Sequence, residues 1–209
     1  KKLNILLIHF STDYVFDGTK NEPYLEDDLP CPINIYGETK LDGEKAIQES
    51  GCNYYIFRVS WLIGKYGNNF AKKIIYSAKN KENLKVINDQ KGVPTSPRLI
   101  SEVMSHLIKN YKTNLRWEFG IYNLNPRGQA SWYIIAKFII KFINEMDNKN
   151  SFLVKSVQPV ETNEFKTKAK RPLNSLLNNS KLEKVLGYDL NNWESYFIID
   201  LKEILHNSY

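Results

Sequence analysis

Residues of the soft, redox-active and imidazole kinds are scarce in this sequence. Its 209 residues include two cysteines, two methionines and three histidines. Cys31 and Cys52 cannot make a disulfide framework, and neither belongs to a metal-ligand spacing. His9, His106 and His206 are dispersed, so no metal site is read, and His9 is expected to be a satisfied residue of a strand. A reducing cytoplasm is the compartment this usage fits. No apolar run approaches the ~20 residues that span a bilayer, and Ile5 to Ile8 is too short for the core of a signal peptide. The ten glycines are scattered, and no pair of them stands between a strand and a helix. A glycine-rich cradle for phosphates at a helix N-terminus is therefore missing.

What is present is the composition of a globular chain, 42% hydrophobic and 25% charged. The net charge is +6, but the lysines are interspersed with Asp and Glu. The densest basic stretch, Lys166 to Arg171, is short. It reads as a solvated basic face, which excludes nucleic acid as a partner, or as a local phosphate site with Arg171 as its clamp.

Hydrophobic periodicity gives alternating strands and helices. Strands are expected over Ile5 to Phe16, Tyr54 to Leu62, Leu84 to Asn88, Gly120 to Leu124 and Phe152 to Val157. Helices are expected over Ile35 to Ser50, closed by Gly51, and over Asn69 to Lys81 and Pro97 to Tyr111. Three more cover Ser131 to Met146, Ser180 to Leu186 and Asn192 to Leu205. Polar segments with proline or glycine, Asp17 to Pro32 and Asn163 to Arg171, read as loops. The first two strands are apolar without alternation, as in a parallel sheet covered on both faces. The fold class is α/β with a mostly parallel sheet.

One spacing carries chemistry. In Y-G-E-T-K, Tyr36 and Lys40 are four residues apart on an expected helix, so phenol and ammonium share a face. An adjacent ammonium favours the phenolate, which eases proton exchange with an alcohol or ketone. Thr12 adds a hydroxyl at the end of a strand, where open α/β sheets place their chemistry. The three together suggest carbonyl reduction or alcohol oxidation.

Six stretches extend this signal: S-T-D-Y-V-F-D-G, P-I-N-I-Y-G-E-T-K-L-D-G-E-K, F-R-V-S-W-L, G-N-N-F-A-K, V-I-N-D-Q-K-G-V-P-T-S and R-P-L-N-S-L-L. In this order they resemble the extended short-chain dehydrogenase/reductase family, in its dTDP-4-dehydrorhamnose reductase branch. That family opens with a strand, a G-x-x-G-x-x-G turn and a helix, and nothing like them stands here. The resemblance thus implies the C-terminal portion of a Rossmann-like doubly wound parallel sheet with an interleaved smaller substrate domain. Residues 1–62 and 93–125 would form the dinucleotide-binding part, and 63–92 and 126–209 the substrate part. A half-sheet with an uncovered apolar edge would be aggregation-prone or dependent on a partner.

The resemblance also implies roles. NADPH or NADH would reduce the C4 ketone of dTDP-4-dehydro-L-rhamnose. Tyr36 would be the proton donor, Lys40 its tuner and a ligand of the nicotinamide ribose, and Thr12 the partner of the reacting oxygen. Asp13 and Tyr14 would shape the sugar pocket. Trp61 would face substrate or serve as a core ring. Asn69 would bond the substrate or cap a helix. Arg171 and Asn174 would contact phosphate or anchor a loop. Relatives that hold Mg²⁺ use acidic residues near a dimer contact; Arg98 stands where such an acid is expected, which puts that metal in doubt. A homodimer is compatible with the resemblance. Its alternatives are a regulatory subunit, like the β subunit of methionine adenosyltransferase, or another nucleotide-sugar epimerase or dehydratase.

Overall fold

Strand β1 (Leu7–Thr12) ends where Thr12 turns its hydroxyl to the Tyr14 N–H and caps a short 3₁₀ turn over Asp13–Val15. In this computed structural model, which describes residues 1–113, 117–146, 151–165 and 167–206, the first strand is thus shorter than the apolar run suggests. Helix α1 (Ile35–Ser50) starts at Asn34, whose Oδ1 accepts from Gly37 N–H at 2.9 Å, and stops at Gly51 in the left-handed conformation. Next come β2 (Tyr54–Val59), α2 (Phe70–Asn80), β3 (Asn83–Ile87) and β4 (Lys91–Gly92). Helix α3 (Pro97–Lys112) has proline in its first turn and Ser96 as its cap. After β5 (Gly120–Asn123) and β6 (Ala130–Ser131) comes α4 (Trp132–Met146), with Ser131 Oγ accepting from Ile134 N–H. Strand β7 (Ser156–Val160), α5 (Ser180–Leu186) and α6 (Trp193–His206) complete the order.

β1, β2 and β5 form a parallel sheet in the order β1-β2-β5. Alternate residues of β2 serve opposite faces. Tyr55 and Phe57 pack with Leu99, Val103 and Leu107 of α3 and Leu182 and Leu186 of α5. Arg58 points the other way, to α1. Its Nε and Nη2 donate to the two carboxylate oxygens of Glu44 at 3.0 and 2.7 Å, and Nη1 donates to the Glu26 carbonyl at 3.1 Å. The sheet is therefore covered on both faces at β2. β1 bonds to β2 on one side, and Leu7 and Phe10 on it are exposed.

A second core joins α2, α4, β3 and the inner face of α6. β3 pairs with β7 in parallel and β4 with β6 in antiparallel fashion. α6 serves both cores, Tyr196 packing into the first and Phe197 into the second. The strand expected over Phe152 to Val157 lies later, at Ser156–Val160. The segment before it bonds instead to the end of α2 and the turn after it, Leu153 N–H donating to the Ala78 carbonyl and Lys155 N–H to the Glu82 carbonyl. No helix among the described residues is long and apolar enough to cross a membrane.

Candidate active site

The ends of β1 and β2 open into one cleft of about 460 Å³. It gathers Thr12, Asp13, Tyr14, Tyr36, Lys40, Trp61 and Arg171, seven of the nine residues singled out from the sequence. Tyr36 is 55% exposed on the first turn of α1, so its phenol is free to meet a ligand. Its ring stands edge-on to that of Tyr14, centroids 5.8 Å apart. One turn on, the Lys40 ammonium donates to the Phe10 carbonyl, which fixes the charge at the end of β1. Gly37 lets α1 come this close: a Cβ there would overlap the Tyr14 carbonyl oxygen.

Thr12 Oγ1 donates to Asp13 Oδ1 at 3.1 Å. Asp13 is buried, and desolvation pushes its carboxyl up to about 7 despite hydrogen bonds from Ser175 and Thr12. Tyr14 is also held above the ordinary phenol value, first by burial and then by the Asp13 charge, against the opposing charge and hydrogen bond of Arg171. The raised Asp13 value has a consequence for stability. The folded protein binds this proton more tightly than the unfolded chain, whose value is near 3.8. The stabilisation is complete below the unfolded value and is lost as pH rises through about 7. Asp13→Asn is expected to flatten the fall in stability over that interval. Denaturant melts at stepped pH that keep the wild-type slope in the variant would refute this cause.

Two neighbouring hollows share Arg171 with the cleft. One, of about 340 Å³, is mainly apolar, with Phe70, Ile74, Val86, Ile87, Trp132 and Phe165 on its wall and Asn69 and Lys73 at its rim. Asn69 caps α2, Oδ1 accepting from Lys72 N–H at 3.2 Å while Nδ2 donates to the Gly64 carbonyl at 2.6 Å. The other, of about 710 Å³, lies beside Asp17, Lys20 and Lys170 and is where Asn174 is found. Asn174 is buried and committed to backbone: its Nδ2 donates to the Lys20 and Glu22 carbonyls, and its Oδ1 accepts from Leu176 N–H. It anchors a loop and is not brought to the cleft.

The family model for the RmlD substrate binding domain matches residues 1–207. The chain belongs to the RmlD substrate-binding domain family.

Relatives named dTDP-4-dehydrorhamnose reductase include one from Burkholderia thailandensis, 34% identical over 98% of this chain and 70% of its own length. Another, from Escherichia coli K12, is 39% identical over 90% of this chain and 62% of its own length. The crystal structure of the Bacillus anthracis enzyme of that name, in complex with NADP, superposes with a TM-score of 0.83 at 34% identity, covering 99% of this chain and 67% of that one. This member of the RmlD family thus spans about two thirds of these relatives. Its fold is the Rossmann-like α/β fold they share. Arg98 forms an ion pair with Glu203 at 2.7 Å. His9 is not a satisfied strand residue: its Nε2 is buried without a partner, and burial followed by the Lys40 charge lowers its pKa. Lys166 of the basic stretch lies outside the described residues.

Sequence reasoning passed over Phe70, Gln90 and Trp132. They line the apolar hollow, and Trp132 also lines the cleft. Phe70 and Gln90 stand inside two of the six stretches without a chemical pattern of their own, and Trp132 stands outside them; each owes its place to tertiary packing.

Proposed function

We propose that this chain reduces the C4 ketone of dTDP-4-dehydro-L-rhamnose at the expense of NADPH or NADH. The observation that carries the reading is the single cleft holding Thr12, Tyr36 and Lys40, joined by Arg171 to a mainly apolar hollow of about 340 Å³. The sugar sits in the cleft, the diphosphate at Arg171, and the base against Phe70 and Trp132. Tyr36 gives its phenolic proton to the oxygen at C4 as the C=O becomes an alcohol. Lys40 stabilises the phenolate left behind. Thr12 turns its hydroxyl from Asp13 to the substrate oxygen, and Asp13 and Tyr14 fix the sugar. Trp61 forms the wall beside it. Asn69, with its amide already engaged, borders the base site.

The cofactor supplies the hydride when bound. The residues present fit its nicotinamide-ribose end: Lys40 and Tyr36 stand at the mouth of the cleft, and Ser11 Oγ beside them is buried without a partner. No glycine-rich turn stands in this chain to cradle a pyrophosphate. We assign residues 1–62 and 93–125 to the dinucleotide-binding part and 63–92 and 126–209 to the substrate part. We assign the chain to a reducing cytoplasm, the compartment that its sparse cysteine usage fits.

The test is calorimetric binding of dTDP, with loss of NADPH absorbance on adding the 4-dehydro sugar. Arg171→Met is expected to weaken dTDP roughly tenfold or more, as loss of a charged hydrogen-bond partner does, and to leave thymidine unaffected. Equal losses for both ligands would remove Arg171 from the diphosphate. Binding of dTDP without reduction would favour the regulatory-subunit alternative.

A further inference from the structure

Trp61 has its backbone in the left-handed region, at φ 40°. A bulky L residue takes that conformation at a cost, so its surroundings must over-determine it. Its carbonyl accepts from Thr95 N–H at 3.1 Å. Its indole lies flat on that of Trp132, with centroids 3.8 Å apart and planes 15° from parallel. Against the same ring is Gly92, where a Cβ would overlap the indole. Trp132 is itself held. Its Nε1–H donates to Gln90 Oε1 at 3.0 Å, Gln90 Nε2 donates to Thr162 Oγ1 at 3.0 Å, and the Thr162 hydroxyl donates to Asp89 at 2.7 Å. Phe70 closes the far side, its ring centroid 4.6 Å from that of Trp132.

The stacked pair is therefore a partition. Trp61 lines the cleft, and Trp132 lines both the cleft and the apolar hollow. We propose that Trp132 is a positioning residue: it holds the Trp61 ring in the cleft and transmits to it the contact of whatever fills the apolar hollow. A base lodged against Trp132 and Phe70 thereby sets the wall along which the ketone is presented to Tyr36. The proposal rests on the reductase reading for the identity of those occupants, and Gly92 and the hydrogen-bonded chain through Gln90 are its supports.

Gly92→Ala is the incisive variant, because Gly92 lines neither cavity and its new methyl group meets the Trp61 ring. Two stacked indoles give an exciton couplet in far-ultraviolet circular dichroism, which reports the pair without any turnover. The wild-type protein is expected to show the couplet and to change its amplitude on adding dTDP. Gly92→Ala is expected to lose it and to fall roughly ten- to a hundredfold in kcat, the scale of a misplaced reacting group. Its dTDP affinity should stay close to wild type. Trp132→Phe keeps a stacked ring and most of the turnover, whereas Trp132→Leu loses it. This pair carries the test if Gly92→Ala does not fold.

A Gly92→Ala or Trp132→Leu protein without the couplet and with unchanged kcat overturns the positioning role. So does a Gly92→Ala protein that keeps the couplet, or one whose dTDP affinity falls as far as its turnover. If the wild-type protein binds dTDP and shifts its couplet but never reduces the ketone, the reductase reading fails and the partition stands. If dTDP binds and leaves the couplet unmoved, the partition fails.

Discussion

Tyr36→Phe is expected to lower kcat by roughly 10²–10⁴-fold, the range for loss of a positioned general acid. KM for the nucleotide sugar should change little. The variant removes one oxygen from a side chain that is 55% exposed, so it creates no cavity and breaks no core contact. The ring keeps its edge-on packing against Tyr14. Lys40 keeps its hydrogen bond to the Phe10 carbonyl, because that bond does not involve the phenol. Thermal stability and dTDP binding should therefore match wild type, leaving the chemical step as the one quantity that moves. Steady-state kinetics beside a thermal melt separate these outcomes. A variant that keeps near-normal turnover would transfer the proton donation to another group, and the buried carboxyl of Asp13, next to Thr12 in the same cleft, would be the first to consider.

The parts of this site that were legible in the sequence were those fixed by local geometry. Tyr36 and Lys40 fall on one face of α1 because the helix runs as its signals say, from the Asn34 cap to the Gly51 stop. Thr12 falls at the end of β1 because its hydroxyl turns the chain there. Asn69 and Asn174 were harder to place. Both are side chains that could serve a ligand or a backbone: Asn69 meets Lys72 and Gly64 close by in the chain, whereas for Asn174 the choice depends on partners distant in sequence, the carbonyls of Lys20 and Glu22. Trp132 was invisible for the same reason. Its partner Trp61 lies far away in the chain, and its contact is a stack rather than a spacing.

The same distinction holds for the fold. Long amphipathic helices such as α3 and α4 were read close to their observed bounds. The two-residue strands β4 and β6 carry no period, since a pair of residues cannot show one. Pro159 lies within β7, whose sheet partner among the described residues is β3, so a proline without an N–H is tolerated on its open side.

Breaking the Arg58–Glu44 pair is the stability change with the largest expected effect. Glu44 is fully buried and Arg58 1% exposed. Their two-pronged contact is the polar tie between α1 and β2, and the guanidinium also rests 5.0 Å from the Phe16 ring centroid. Glu44→Ala would leave the guanidinium buried with the Glu26 carbonyl as its remaining hydrogen-bond partner. The cost is expected to be ~3–5 kcal/mol, as for other buried pairs deprived of one member. The double variant Glu44→Leu with Arg58→Met removes both charges and replaces them with apolar volume. It is expected to recover much of the loss, because burying the pair costs desolvation that hydrophobic side chains do not incur. Denaturant unfolding of the single and double variants decides the point. If Glu44→Ala were as stable as wild type, the pair would not be what fastens α1 to the sheet. Because α1 carries Tyr36 and Lys40, a double variant that regains stability but not turnover would show that the pair's geometry, and not its energy alone, sets where the proton donor stands.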